Sequence, residues 1–458
     1  MTSRHLYVFL LVLVGLSATA QDILVSKITI TGNTKTKEHV IRREILIQED
    51  SAYTSTRLKD LIAQSENRVL NLNLFNTVNI TRDTISDRDF VTLEIVVVEK
   101  WYIWPIPFVE FSDRNFNVWG GLDFDPARTN YGLYVFNYNL FGRNHTLKTK
   151  MKTGYHTKLG VEYRIPFLSS KTQWGLNTLI EYAAQNEVWY QTRNDSLQFF
   201  KNGKNNLIKT LKSKVEFSKR INPFSRIYIG ASYENGQLDT SVPTNDYFIN
   251  STGYQNTFGI SLGQVYDTRD NIFYPIEGKF LSLRATAEGW KNIDWTPNLE
   301  ISTKIQYFKK LRPKISTALA VFGTLKSNPT PPYSRRQVLG YNQIVRGFEY
   351  YVIDGTWGYT GNAAIRYQLV HKPKLKINLI PFENYKVLPL NIYAEAYVDV
   401  GQAGYKTNDP SNQLNGEFLY AGGLGLNVLL YNDRLLRLEY SLNSLQEGGF
   451  FVHFKKAI

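Results

Sequence analysis

The chain contains no cysteine in 458 residues. That absence excludes disulfides, thiolate nucleophiles and cysteine-ligated metals, so stability must come from packing and from backbone hydrogen bonds. Histidine is scarce, with six copies, and none stands in a metal-ligand spacing. There is no nucleophile elbow and no glycine loop of the phosphate-cradling kind. The expectation is a protein that is not an enzyme and uses no cofactor or metal. Beyond the first twenty residues no run reaches the roughly 18 apolar residues that a spanning helix needs. Nor is there a repeat of about 40 to 50 residues, which a propeller would show.

What is present points to the cell envelope. Met1 to Ala20 has a basic start (Arg4, His5), an apolar run from Leu6 to Leu16 and the small-residue site Ala18-Thr19-Ala20. This is the pattern of a cleaved secretory signal, expected over residues 1–20. Aromatics make up 14% of the chain, with 30 tyrosines, beside a mean hydropathy of −0.29. A transmembrane β-barrel reconciles the two, because only alternate residues face lipid and aromatics gather at both interfaces. The net charge of +13 does not indicate nucleic acid. The basic residues are scattered and alternate with apolar ones, as from His145 to Lys152, which places lysines on one face of a strand. A polar lumen or a rim against anionic lipid accounts for them.

Two regions are expected. Residues 21–101 read as a small α/β domain in the order β-α-α-β-β. Ile28 and Ile30 alternate in a first strand that Gly32-Asn33 ends. A short helix carries Val40, Ile41, Glu44 and Ile45. A longer one, with N-cap candidates Thr54-Ser55-Thr56, carries the stripe Leu58, Leu61, Ile62, Val69 and Leu70. Strands around Val78 and Ile80 and from Val91 to Val97 close the unit. From residue 102 to 458 alternating segments recur without helical periodicity, for example Leu133 to Asn139, Arg226 to Tyr233, Lys279 to Ala287 and Leu435 to Leu442. At roughly 22 residues per strand and connection this length holds about sixteen antiparallel strands. A sandwich fits poorly, since alternation continues through several hundred residues without a second unit.

Four motifs stand out. Asp267-Thr268-Arg269-Asp270-Asn271, followed by Pro275 and Gly278, reads as a strand end, a turn that cannot continue a ladder, and the opening of a new strand. Val345-Arg346-Gly347-Phe348 lies in a long loop, near 328–362, of a length that is usually functional. Tyr397-Val398-Asp399-Val400-Gly401 follows in a strand. Pro105 and Pro107, ahead of Phe108, remove two alternate ladder donors on one edge. They face a closing strand Phe450, Phe451, Val452, His453, Phe454 that follows Gly448-Gly449. The prolines suit either a lateral seam or a linker ahead of the first strand.

In this order the motifs resemble the BamA/TamA family of outer-membrane barrels, the bacterial surface antigen family. Asn139 to Asn144 is similar to that family's early hairpin, and residues 21–101 resemble one POTRA domain, with Gly32-Asn33-Thr34 and Leu74-Phe75-Asn76-Thr77-Val78 as its marks. The resemblance implies a bacterial outer-membrane barrel with its N-terminal domain in the periplasm. It implies assembly, insertion or translocation of unfolded outer-membrane or secreted clients, through a laterally gated barrel and without nucleotide. Accessory envelope proteins and outer-membrane lipid are the other implied partners. The loop would fold into the lumen and Arg346 would pair with Asp399, Gly401 lying beside it. Where relatives carry a second acid this chain has Arg366, so either Asp399 acts alone or the network runs through Glu395 or Glu349. An outer-membrane channel or lipid-handling barrel, and a structural subunit of an envelope complex, are the alternatives.

Overall fold

The computed structural model describes residues 22–84, 90–111, 123, 125–169, 171–203, 206–244, 246–248, 253–290, 298–376, 387–405, 411–431 and 434–456. The expected signal at residues 1–20 lies outside them. The chain divides into two compact units, one reaching to Glu99 and one from Lys100 onward.

The first unit runs β1 (Asp22–Thr31), α1 (Glu38–Arg42), β2 (Ser51–Thr54), α2 (Ser55–Asn71), β3 (Phe75–Thr84) and β4 (Phe90–Glu99). Its sheet has the order β2-β1-β4-β3, with β1 and β4 parallel. Alternation in β4 buries Val91, Leu93, Ile95 and Val97, and helical spacing buries Leu58, Leu61 and Val69 of α2, each element being amphipathic with its own period. Thr54 caps α2 by accepting from the Arg57 amide at 3.4 Å. The strand β2 corrects the sequence reading, which had three strands. Its four residues, Ser-Ala-Tyr-Thr, carry too little apolar alternation to be read as a strand, yet they pair antiparallel with the start of β1.

In the second unit β5 (Ile103–Phe111), β6 (Thr129–Leu140), β7 (His145–Gly154), β8 (His156–Ile165) and β9 (Trp174–Gln185) are followed by a small hairpin, β10 (Val188–Arg193) and β11 (Ser196–Phe200). Next come β12 (Ile208–Asn222), β13 (Ser225–Leu238), β14 (Tyr254–Asp267), β15 (Gly278–Trp290), β16 (Asn298–Arg312) and β17 (Ile315–Lys326). After the short pair β18 (Gln337–Leu339) and β19 (Ile353–Asp354) the wall resumes with β20 (Trp357–Lys376), β21 (Val387–Gly404), β22 (Leu419–Leu430), β23 (Arg434–Asn443) and β24 (Gly448–Lys456). All but β10, β11, β18 and β19 form one sixteen-stranded antiparallel sheet, each strand beside its neighbour in the chain, from β5 to β24. The sheet is a barrel: the Arg434 guanidinium of β23 lies 5.9 Å from the ring of Trp104 in β5, so the two ends of the sheet meet. Lipid-facing residues alternate with lumen residues, as Leu281 and Leu283 do with Ser282 and Arg284.

Three expectations are revised. The long loop spans 327–356, because Trp357 to Asn362 already pair with β17; the glycines at 358 and 361 hid that strand start. Both prolines lie inside β5, not in a linker before it. The closing strand extends past Phe454 to Lys456.

At the end of β4 the Glu99 carboxylate accepts from the Thr34 hydroxyl at 2.8 Å and from the backbone amides of Lys35 and Thr36 at 3.1 and 2.6 Å, fixing the turn after β1. Burial raises its pKa, but the hydrogen bonds from Thr36, Thr34 and Lys35 outweigh that and the net shift is downward. A depressed carboxylate pKa stabilises the fold above the unfolded value, and the contribution fades as pH falls through the lowered folded value. Hydrogen exchange at the Lys35 and Thr36 amides, corrected for intrinsic rates, is therefore expected to stay slow from neutral pH down to about pH 5 and to accelerate in stronger acid. Glu99→Gln should show the fast exchange already at neutral pH; protection unchanged in that variant would contradict the assignment.

Candidate functional site

The long loop enters the barrel because its apolar residues have a core of their own there. Val345 and Phe348 are buried with Val338, Leu339, Ile353, Ala403, Leu419 and Ala421. Gly347 has φ +90°, and a Cβ there would press on the Cβ atoms of Ala421 and Ser441 at 3.1 and 3.2 Å, so the position takes only glycine without strain. Its carbonyl accepts from Asn443 at 2.8 Å. Gly401 leaves room for Val345, whose Cγ2 would lie 2.5 Å from an added Cβ.

This seating aims Arg346 at the wall. Its Nε and Nη2 donate to the two oxygens of Asp399 at 2.8 and 2.7 Å, and Nη1 donates to Glu395 at 2.9 Å and Glu439 at 3.0 Å. The guanidinium stacks on Tyr397, 3.6 Å from the ring centroid. Asp399, on β21, is fully buried. One planar fork thus holds three carboxylates, a geometry an ammonium cannot reproduce. The sequence named Asp399 and raised Glu395; it missed Glu439, which comes from β23 and bears no motif.

Arg366 does not leave a gap where an acid was anticipated. Its Nε donates to the second oxygen of Glu395 at 2.7 Å, and its Nη1 donates to the Pro275 carbonyl at 2.9 Å. Glu395 therefore sits between two arginines, one from the loop and one that reaches the Asp267–Gly278 turn. That turn does more than connect β14 and β15. Arg269 forms a bidentate pair with Asp267, at 2.8 and 2.6 Å, and Asp270 accepts from the amides of Asn271, Ile276 and Glu277. Gly278 takes φ +110°. So braced, the turn pushes Tyr274 inward against Tyr393, at 4.7 Å between centroids, with its hydroxyl accepting from Asn427. The Arg366 guanidinium covers the Tyr274 ring at 4.4 Å. Loop and turn enclose a cavity of about 540 Å³ lined by Lys304, Gln306, Asn342, Asn362 and the charged cluster.

The last strand belongs to the same cluster. His453 on β24 lies 3.4 Å from Glu349 of the loop and 3.5 Å from Glu439. Three guanidiniums, of Arg346, Arg366 and Arg437, and one imidazole face the carboxylates of Glu349, Glu395, Asp399 and Glu439. The ring of Tyr350 stands 6.2 Å from Phe451. Above the loop, the β10–β11 hairpin bends over the opposite mouth. Asp195 at its tip accepts from the amides of Gln413 and Leu414 and its carbonyl accepts from Val352.

At the two ends of the sheet, no ladder joins β5 to β24 among the described residues. The Tyr138 amide donates to the Tyr102 carbonyl at 3.0 Å, so in register the even-numbered residues of β5 bond to β6 and the odd-numbered ones face the free edge. Pro105 and Pro107 are odd. Both missing donors are on the seam side. Phe108 points the other way and stacks on Tyr134 at 4.0 Å, while Phe450, Val452 and Phe454 of β24 are exposed on the lipid side.

Comparison with known proteins agrees with this architecture. The Omp85 superfamily domain matches residues 139–430. The chain belongs to the Omp85 superfamily. Residues 23–100 match the surface antigen variable number repeat, the POTRA domain. A curated relative, the outer membrane protein assembly factor BamA of Neorickettsia risticii (strain Illinois), is 30% identical over 171 residues, 37% of this chain and 20% of that protein. The match thus spans a fifth of the relative's length. Among solved structures, BamA from Haemophilus ducreyi lacking POTRA domains 1–3 superposes with a TM-score of 0.51 at 15% identity, covering 94% of this chain and 83% of that one. CdiB from Escherichia coli superposes with a TM-score of 0.53 at 9% identity, covering 96% and 91%. At such identities the likeness shows the fold. An Omp85 barrel preceded by a POTRA domain is a protein of the outer membrane, with that domain in the periplasm.

Substitutions at Arg346, Asp399 and Arg366 test this Omp85 lumen. Removing one partner of a buried ion pair costs about 3–5 kcal/mol, so Arg346→Ala and Asp399→Ala should each lower the temperature at which the folded barrel loses its fast gel mobility, and Arg346→Lys should recover little. The double variant should be no worse than the singles; additive losses would contradict the pairing. Arg366→Ala should free the Asp267–Gly278 turn, measured as faster labelling of a cysteine introduced by Phe273→Cys. Equal labelling with and without Arg366 would show that the arginine does not hold the turn.

Proposed function

We propose that this protein inserts or exports polypeptide clients at the outer membrane, and that its route is the seam between β5 and β24 rather than the axis of the barrel. The observation that carries this reading is the seam itself. Two strands that meet at the ends of the sheet share no ladder among the described residues, and the edge of β5 that faces β24 has lost two donors to Pro105 and Pro107. Each absent ladder bond forgoes about 0.5–1.5 kcal/mol of net stabilisation. An unpaired edge is a template for another strand, and a client segment can add to it as a strand adds to any open sheet.

The interior supports the same reading. The Arg346 loop fills the lumen from one side, the Tyr274 turn enters from the other, and the β10–β11 hairpin covers the far mouth. A chain crossing by the axis would have to break a buried network of arginines and carboxylates. A chain entering by the seam need not. The channel alternative is disfavoured by that filling. Clients would be unfolded outer-membrane or secreted polypeptides, received by the periplasmic POTRA sheet and aided by accessory envelope proteins. No nucleotide or metal enters the reading, which is non-enzymatic.

Because the chain has no native cysteine, the seam can be locked selectively. Val109→Cys on the lipid side of β5, combined in turn with Phe450→Cys, Val452→Cys and Phe454→Cys, should yield at least one pair that oxidises. Oxidation of that pair should abolish client insertion by the protein in lipid vesicles, and reduction should restore it. Full activity of the locked barrel would sink the lateral route.

A further inference from the structure

On the arc from β12 to β17 the exposed cations are unevenly placed along the barrel axis. At the end where the chain enters from the N-terminal domain, this arc exposes Lys219, Lys279, Lys309, Lys310, Arg312 and Lys314. None of the six makes an ion pair among the described residues. The acids at the same end are Asp267 and Asp270, both consumed inside their turn, and the exposed Glu277. The opposite ends of these strands carry Glu234, Glu288 and Glu300, and of these Glu234 and Glu288 are paired with Lys212 and Arg335, so the contrast between the two ends lies on the lipid face.

Strand parity decides where the cations point. Lys219 shares the face of Val215 and Phe217, Lys279 that of Leu281 and Leu283, and Lys309 that of Ile305 and Tyr307, all of them lipid-facing. Three apolar stripes therefore end in a lysine at the same end of the barrel. Two of these lysines lie against interface aromatics that are their cross-strand neighbours: Lys219 is 5.5 Å from the Trp174 ring and Lys279 is 5.8 Å from the Tyr307 ring. At the other end of the arc, among the described residues, Lys209 is the one cation on the lipid face. A lysine at the end of a lipid-facing stripe extends its ammonium to the headgroup level, and an aromatic ring beside it fixes that level.

The geometry points to a lipid-binding collar: Lys219, Lys279 and Lys309, backed by the Lys310–Lys314 turn, bind the phosphates of anionic glycerophospholipids in the periplasmic leaflet. An acidic client peptide fits less well, because the three lysines stand on the bilayer-facing wall with aromatic neighbours and not in the lumen. The collar also marks this side as the one pinned to its leaflet, away from the seam.

The full-length protein, reconstituted in phosphatidylcholine bilayers, is tested with spin-labelled phosphatidylglycerol and spin-labelled phosphatidylcholine at trace level. At low salt the anionic probe should associate roughly threefold more strongly than the zwitterionic one. That preference should fall with added salt and vanish in the triple variant Lys219→Gln, Lys279→Gln, Lys309→Gln. Lys209→Gln, at the other end, should keep it, and unchanged heat-modifiable mobility establishes that each variant is folded. Equal association of both probes, or a preference that survives the triple change, overturns the collar. So does a preference removed by inorganic phosphate but not by chloride of equal ionic strength, which would indicate a free-ion site. Loss of acidic-peptide binding in the triple variant with lipid preference intact would assign the patch to clients and likewise overturn it.

Discussion

The structure hangs on one guanidinium. Arg346 enters the lumen on a loop that has its own small apolar core, and meets Asp399, Glu395 and Glu439 on two wall strands. Three carboxylates at such close range would repel one another in a medium of low dielectric. Arginines, with the imidazole of His453 beside them, turn that repulsion into a directional network. The loop, the Asp267–Gly278 turn and the last hairpin are then parts of one body rather than three appendages. Charge compensation ties these three elements to the same wall strands.

That coupling gives the seam a physical context. β24 is held on one side by its ladder to β23 and from within by His453 and Phe451 against the loop. Its outer edge faces β5, whose prolines deny it two donors. In the lateral route we propose, a strand held from inside and free at its edge parts from β5 without the lumen losing its plug. Lateral opening and axial closure are compatible because different forces hold them: buried ion pairs in the interior, sparse backbone pairing at the seam.

Much of this was legible in the residues. Alternation over 102–458 carried the sixteen strands, and the Arg-Gly pair with Asp399 marked the loop and the wall strand it meets. Less legible were elements whose signal is tertiary. The strand β2 is four residues long and forms because β1 offers it an edge. The start of β20 is masked by two glycines, Gly358 packed closely under Val338 and Ala403 and Gly361 beside Val400. Glu439 and His453 stand in plain alternating strands, and only closure of the barrel brings them to the loop. Arg366 looked like a departure from a pattern. In three dimensions it is the link between the two motifs the sequence had marked separately, because a cation at that position reaches both Glu395 and the Pro275 carbonyl.

The most direct test of the central claim, that the seam opens while the lumen stays closed, is a pair of distance distributions in one membrane-embedded preparation. Spin labels across β5 and β24 report the seam, and labels on the Arg346 loop and β16 report the plug. A seam distribution that broadens or lengthens when client is added, beside a plug distribution that stays narrow, is the expected result. A fixed seam together with a plug that leaves the wall would contradict it.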